Sequence, residues 1–286
     1  MNTITASPTL SPAAPSHGLT RFTLVRILLA LLAVCVPVAL VLVLSSQIPD
    51  KSMRAYWPPL LAGLVAYGGY TLYVRRIERR VLSELRGPAG MRELGAGLAV
   101  GAATFLAVVG VLAASGSYGF TGLGDWTILA KSFTEMVFVA LVEEILFRGV
   151  LFRLPERSLG SWWALSLSAV IFALAHLPNA GITLLAVLNT ALAGLMFAAA
   201  YLATRRLWLP VGAHFAWNFI SDGVFSLPTS GSPARGMLQG QLTGPEWLTG
   251  GAYGLEGSAI TFIVMGLATA VLLRRALRAG HILPRP

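Results

Sequence analysis

Glu143 and Glu144 are adjacent carboxylates inside an apolar run, Glu143-Glu144-Ile145-Leu146-Phe147-Arg148, in a chain of which only 12% is charged. Ionisable groups at membrane depth are costly; they face a protein interior or a wet cavity, and they mark functional sites. Two further polar clusters sit in later apolar runs, Phe172-Ala173-Leu174-Ala175-His176 and His214-Phe215-Ala216-Trp217-Asn218. Carboxylate, imidazole and amide brought together in this way make a reaction centre that can activate water.

Neighbouring residues on a helix point about 100° apart, so the two glutamates are not expected to face the same point. Glu144 and Arg148 stand at i, i+4, within ion-pair reach. Glu143 is then the less neutralised carboxylate and the candidate general base. The structural alternative for the pair is an inter-helix salt bridge that locks a bundle. Of the four histidines, His17, His176, His214 and His281, only His176 and His214 lie in apolar runs. His176 shares a helical face with Phe172, and His214 shares one with Asn218. The imidazole and amide could donate to a developing oxyanion, or equally tie helices together. Glu143, His176 and His214 would supply the three protein ligands of a catalytic zinc. A metal-free site would use the same residues, so the cofactor stays open between a divalent metal such as zinc and none.

Other polar residues carry weaker signals. Lys131 and Glu135 are expected to pair at i, i+4. Asp222 either orients Asn218 or marks the end of its span. Asn189 reads as helix–helix glue, and Gly194 and the glycines near residues 95–115 as packing sites.

The elements that must position these groups are membrane helices. Apolar residues make up 56% of the chain and the mean hydropathy is +0.73, too apolar for a soluble surface of this size. The expected class is an all-α polytopic membrane protein. Its spans number about eight, at 22–45, 56–74, 95–115, 127–147, 162–177, 181–203, 207–224 and 257–277. A single transmembrane domain covers 21–280, with residues 127–224 as its core, between a disordered tail at 1–20 and a short tail at 281–286. The first run is too long for a signal-peptide core and reads as a retained span. The single cysteine, Cys35, allows no disulfide within the chain.

The net charge of +9 reflects basic cytoplasmic loops rather than nucleic-acid binding. One side collects Arg21, Arg26, Arg75, Arg76, Arg79, Arg80, Arg86, Arg92, Arg153, Arg157, Arg205, Arg206, Arg274, Arg275, Arg278 and Arg285. The other has only Lys51, Arg54 and Arg235. That asymmetry puts both termini in the cytoplasm, and the Ala-, Leu- and Arg-rich, Lys-poor composition reads as bacterial, so the expected location is the cell inner (plasma) membrane. Residues 75–93 read as a basic surface helix, and 226–256 as an external segment, a plain flexible loop or else a lid. Depths counted along the helices, at about 1.5 Å per residue, suggest a cavity opening toward the cytoplasmic half.

In this order on successive spans, EExxxR (Glu143, Glu144, Arg148), FxxxH (Phe172, His176) and HxxxN (His214, Asn218) resemble the CAAX prenyl endopeptidase/Abi (CPBP) family of intramembrane proteases. The resemblance covers about residues 127–224. It implies an eight-helix membrane endopeptidase in which Glu143 activates water with His176. His214 and Asn218 would hold the oxyanion, and Glu144 and Arg148 would support the site. Family members are commonly described as metalloproteases, and a metal-free glutamate mechanism is also argued. The implied partner is a peptide or a lipidated or membrane-protein substrate in lipid, with bacteriocin maturation or immunity among the family's bacterial roles. Two other classes use the same residues: a transporter with a proton relay, and a catalytically silent immunity or scaffold protein. Oligomeric state is not legible in the sequence.

Overall fold

A computed structural model describes residues 18–85 and 87–286. The expected disordered tail lies, over residues 1–17, outside the described residues; Gly18–Arg21 forms a 3-10 turn. The long α-helices are α1 (Thr23–Ser46), α3 (Trp57–Arg76), α4 (Gly90–Ala114), α5 (Ile128–Glu144), α7 (Ser161–Ala175), α8 (Leu184–Thr204), α9 (Trp208–Phe219) and α11 (Ala259–Arg278). Short helices α2 (Lys51–Arg54), α6 (Arg153–Leu159) and α10 (Glu246–Thr249) connect them. Strands β1 (Tyr118–Leu123) and β2 (Leu238–Leu242) form a small antiparallel pair, with Tyr118 opposite Leu242. The protein is an all-α membrane protein, and each of the expected apolar runs is helical.

Among the described residues four helices, α1, α4, α8 and α11, are long and apolar enough to cross a bilayer by length and composition. Three of the other four fall short of that measure for a physical reason. Helices α7 and α9 have 15 and 12 residues, and α5 carries Lys131, Glu135, Glu143 and Glu144. Helix α8 is central, with 56% of its apolar window buried against 17% for α1. The outer face of α1, with Leu24, Leu28, Leu32 and Leu40 exposed, suits lipid.

Start signals are local. Thr183 caps α8 by accepting from the Ala186 N–H at 3.1 Å, and Ser258 caps α11 by accepting from Ile260 at 3.1 Å. Prolines stand in the first turn of α3, where their missing N–H is harmless. Asn189 donates to the Ser258 carbonyl at 2.8 Å, tying α8 to the start of α11.

Helices α4 and α9 meet backbone to backbone. A Cβ on Gly97 would stand 2.2 Å from the Leu209 carbonyl oxygen, and one on Gly101 would stand 2.2 Å from that of Ala213. Small residues allow such close approach where no hydrophobic force drives helices together. The crossing fixes α9 one residue before His214.

Two expectations about connections fail. Residues 75–93 are not one basic helix: α3 stops at Arg76 and α4 begins at Gly90. The intervening chain turns inward and buries Glu78, Leu82, Glu84 and Leu85, because its two carboxylates are neutralised by arginines from α1, α6 and the segment itself. Residues 226–256 are a packed cap rather than a flexible loop. They contain β2 and α10 and bury Leu227, Thr229, Tyr253 and Leu255. The C-terminal residues also dock: Leu283 exchanges hydrogen bonds with Ser161 at the start of α7.

Candidate active site

Helix α5 ends at Glu144, and the chain continues without a break into a π-helical stretch, Ile145–Phe152. A second one, Ile220–Val224, extends α9. Such i→i+5 turns inside helices recur at functional sites, and both lie beside the polar clusters. The sequence gives no signal for them.

Glu144 is fully buried, and its Oε1 accepts from Arg148 Nη1 at 2.9 Å. The same oxygen contacts His214 Nδ1 at 2.9 Å. Arg148, also fully buried, donates from Nη2 to the Gly194 carbonyl at 2.9 Å. Its guanidinium carbon lies 4.7 Å over the Phe172 ring and 5.2 Å over Phe197. Phe197 stacks on the His214 ring with centroids 4.6 Å apart and planes at 14°. His214 is thereby gripped on one face and at one nitrogen. Phe197 carries no sequence signal, since a phenylalanine in an apolar helix looks like ordinary core.

Glu143 sits at the other end of the same imidazole. Its Oε2 is 3.9 Å from His214 Nε2, and the side chain is 26% exposed, into the cavity. The two glutamates do not face the same point: they address opposite nitrogens of one ring. Two atoms 3.9 Å apart can each hold one water at about 2.8 Å. Among the described residues Glu143 Oε2 has no hydrogen-bond partner, and the side chain lines the cavity.

His176 ends α7, and its Nδ1 lies 2.8 Å from the Phe172 carbonyl oxygen. A carbonyl only accepts, so Nδ1 carries the proton and Nε2 is the free nitrogen. The Phe172 ring is near both imidazoles, with centroids 4.6 Å from His176 and 6.4 Å from His214. Asn218 is 9% exposed and lines the cavity with Glu143, Phe172, His176 and His214.

The cavity has a volume of about 200 Å³. Thr190, Ala193 and Phe197 of α8 complete its wall, and Thr229, Ser230, Ser232 and Glu256 of the cap cover it. It therefore lies toward the end where α5 begins and α9 finishes, rather than toward the arginine-rich end as the depth count suggests. His176 is at the far end of α7 from Trp162, so convergence with His214 draws the site to the cap. Asp222 does not orient Asn218. It pairs with Arg235 at 3.3 Å, and Arg235 also holds Glu135 at 2.9 Å. Glu135 is thus not paired with Lys131, which lies 5.9 Å from the Tyr56 ring centroid.

Glu256 is the acidic residue of the site that the sequence reading missed. It is buried, accepting from Trp217 Nε1 at 3.1 Å and from the Ser230 N–H at 3.2 Å. Burial pushes its carboxyl above the usual range, more than the hydrogen bonds from Ser230 and Trp217 pull it down.

A catalytic zinc needs three protein ligands and an open position. Among the described residues no three His, Cys, Asp or Glu side chains are grouped as a metal ion requires. The residues as placed do not fit a metal, and no step below runs through one.

Residues 125–220 match the family model described as type II CAAX prenyl endopeptidase Rce1-like. The match contains every motif residue from Glu143 to Asn218, so the family resemblance of those motifs holds over this stretch. Among curated proteins, the chain is similar to the one named "Putative membrane peptidase YdiL" of Bacillus subtilis (strain 168), at 30% identity over 113 residues. That alignment covers 40% of this chain and 42% of the relative, so the chain matches less than half of the relative's length. No solved structure matches.

Proposed function

We propose that this chain is an intramembrane endopeptidase in which Glu143 is the general base for a hydrolytic water. The observation that carries the reading is the pair of environments of Glu143 and Glu144. Glu144 is fully buried and takes both Arg148 and His214 on its Oε1, whereas Glu143 lines the cavity with a side chain that is 26% exposed. The family match and the similarity to a protein named as a membrane peptidase support the same reaction class.

The chemistry follows from these groups. Glu143 takes a proton from water, and the hydroxide adds to the carbonyl carbon of the scissile peptide. His214, held by Glu144 and stacked on Phe197, and His176, held by the Phe172 carbonyl, direct their Nε2 atoms at this water and at the developing oxygen. The Asn218 amide donates to the oxyanion. The tetrahedral intermediate then breaks its C–N bond, and the proton held by Glu143 passes to the leaving amine. The products are one new carboxyl and one new amine terminus. Glu144 and Arg148 do not touch the substrate; they position His214, as outer-shell carboxylates do for ligating or catalytic histidines.

The substrate is a peptide or membrane-protein segment that enters from the cap side. With the arginine-rich end in the cytoplasm, both termini are cytoplasmic, and the cap and cavity mouth face outward from the inner membrane. The test is incubation of the purified protein in proteoliposomes with fluorogenic membrane-anchored peptides. Peptide cleavage by the wild type, with none by Glu143→Ala, is expected. Ion or proton flux without any peptide product would favour a relay protein instead.

A further inference from the structure

A second polar cavity lies at the opposite end of the bundle from Glu143, where α6 and α8 meet the inward-turned chain between α3 and α4. It has a volume of about 30 Å³ and is lined by Arg80, Arg153, Arg157 and Arg205 against only Glu84 and Glu156. Tyr201 and Ser83 add hydroxyls to its wall. Three of the arginines have carboxylate partners. Arg80 holds Glu84 at 2.5 Å, Arg153 holds Glu78 at 2.9 Å and Arg205 holds Glu156 at 2.5 Å. Among the described residues Arg157 has none. Arg153 is 5% exposed, and its Nη1 is buried without a hydrogen-bond partner. Arg26 and Glu78 join the network behind the cavity as a pair, so the positive excess remains.

Buried positive charge without a counter-charge is costly. The cost falls on Arg157. Burial, and then repulsion from Arg153, hold the Arg157 guanidinium below its usual value. Burial pushes Glu84 up, but the hydrogen bond from Arg80 and the charge of Arg153 reverse this and bring it down to about 2. The carboxylates in reach, Glu78, Glu84 and Glu156, are already paired with Arg153, Arg80 and Arg205.

We propose that this cavity is an anion site that takes a phosphate group, either of an anionic lipid headgroup or as free phosphate. Planar guanidinium forks match phosphate oxygens two at a time, and Arg157 with the free Nη1 of Arg153 supplies unused donors. The volume admits roughly two water-sized groups, enough for the outward oxygens of one phosphate whose remainder stays outside. Basic pockets between helices on the cytoplasmic side are places where phosphate headgroups bind. The site shares no residue with the Glu143 cavity, so its test is independent of the proposed peptidase reaction.

Thermal unfolding of the purified full chain tests it, with two probes. Inorganic phosphate is titrated in detergent against chloride at equal ionic strength. Separately, phosphatidylglycerol nanodiscs are compared with phosphatidylcholine nanodiscs. Stabilisation is expected from at least one probe, and Arg157→Gln is expected to weaken its apparent affinity about tenfold. A response to both probes, or to phosphate alone, identifies free phosphate as sufficient; a response to the lipid alone identifies the headgroup. In chloride and phosphatidylcholine, Arg157→Gln should be at least as stable as the wild type, because it removes a repelled charge. Arg157→Lys should fall between the two in affinity. The proposal is overturned if neither probe stabilises the wild type. It also falls if Arg157→Gln responds as the wild type does, or if that variant is destabilised without any probe present.

Discussion

Replacing Glu144 by glutamine keeps the side-chain volume and removes one buried charge. In the wild type that charge faces Arg148 Nη1 and His214 Nδ1, each at 2.9 Å, and both Glu144 and Arg148 are wholly buried. Arg148 would keep its bond to the Gly194 carbonyl and its place over Phe172, but with no counter-charge. Breaking a buried pair from one side costs about 3–5 kcal/mol, so reversible unfolding in mixed micelles should show a loss of that order. Replacing both, as in Glu144→Gln with Arg148→Met, removes the stranded charge and should restore most of the stability. Activity should respond differently. The carboxylate that orients His214 is absent from both variants, so both should hydrolyse peptide about 10–100-fold more slowly than the wild type. If Glu144→Gln were as stable as the wild type, or the double variant as unstable as the single one, the pair would not be the buried ionic unit described. If the double variant regained full activity, positioning of His214 by Glu144 would be wrong.

Three other outcomes are expected. In a Cys35→Ser background, a cysteine at the exposed Ala234 position of the cap should react with impermeant thiol reagents from outside the cell; labelling only from the cytoplasm would reverse the topology. His176→Ala and His214→Ala should each cost nearly as much activity as the two together, because residues acting as a unit are strongly non-additive; losses that simply multiply would separate them into different sites. Glu256 has a folded-state carboxyl raised by burial, so its contribution to stability is full below the unfolded carboxyl range and is lost as pH rises through the raised value. Glu256→Gln should flatten that fall in a pH series of unfolding midpoints, and an unchanged slope would refute the assignment.

The polar residues were the legible part of the site. Glu144 with Arg148, Asn189 at a helix junction and Gly194 under a close packing contact follow from residue type and spacing, because helical periodicity alone puts i and i+4 on one face. The helical runs were legible for the same reason, through continuous apolar composition. Groups that depend on a third dimension were not. Phe197 becomes a support for His214 only through the stacking of α8 on α9, and Glu256 becomes buried only when the cap folds onto Trp217. Arg235 draws Glu135 away from Lys131 across a large sequence separation, which no local rule anticipates. The inward turn between α3 and α4 depends on arginines from α1 and α6, so a locally basic segment looked like a surface helix. The π turns at Ile145–Phe152 and Ile220–Val224 have no compositional mark at all.

The most direct test of the central claim is the paired measurement of peptide hydrolysis and unfolding midpoint for Glu143→Gln in proteoliposomes. The amide preserves volume and cannot accept the water's proton, and Glu143 makes no short contact that its loss would break: its nearest ionic neighbour, His214 Nε2, is 3.9 Å away. Hydrolysis should vanish while the midpoint stays close to the wild-type value. Retention of most of the wild-type rate would contradict Glu143 as the base.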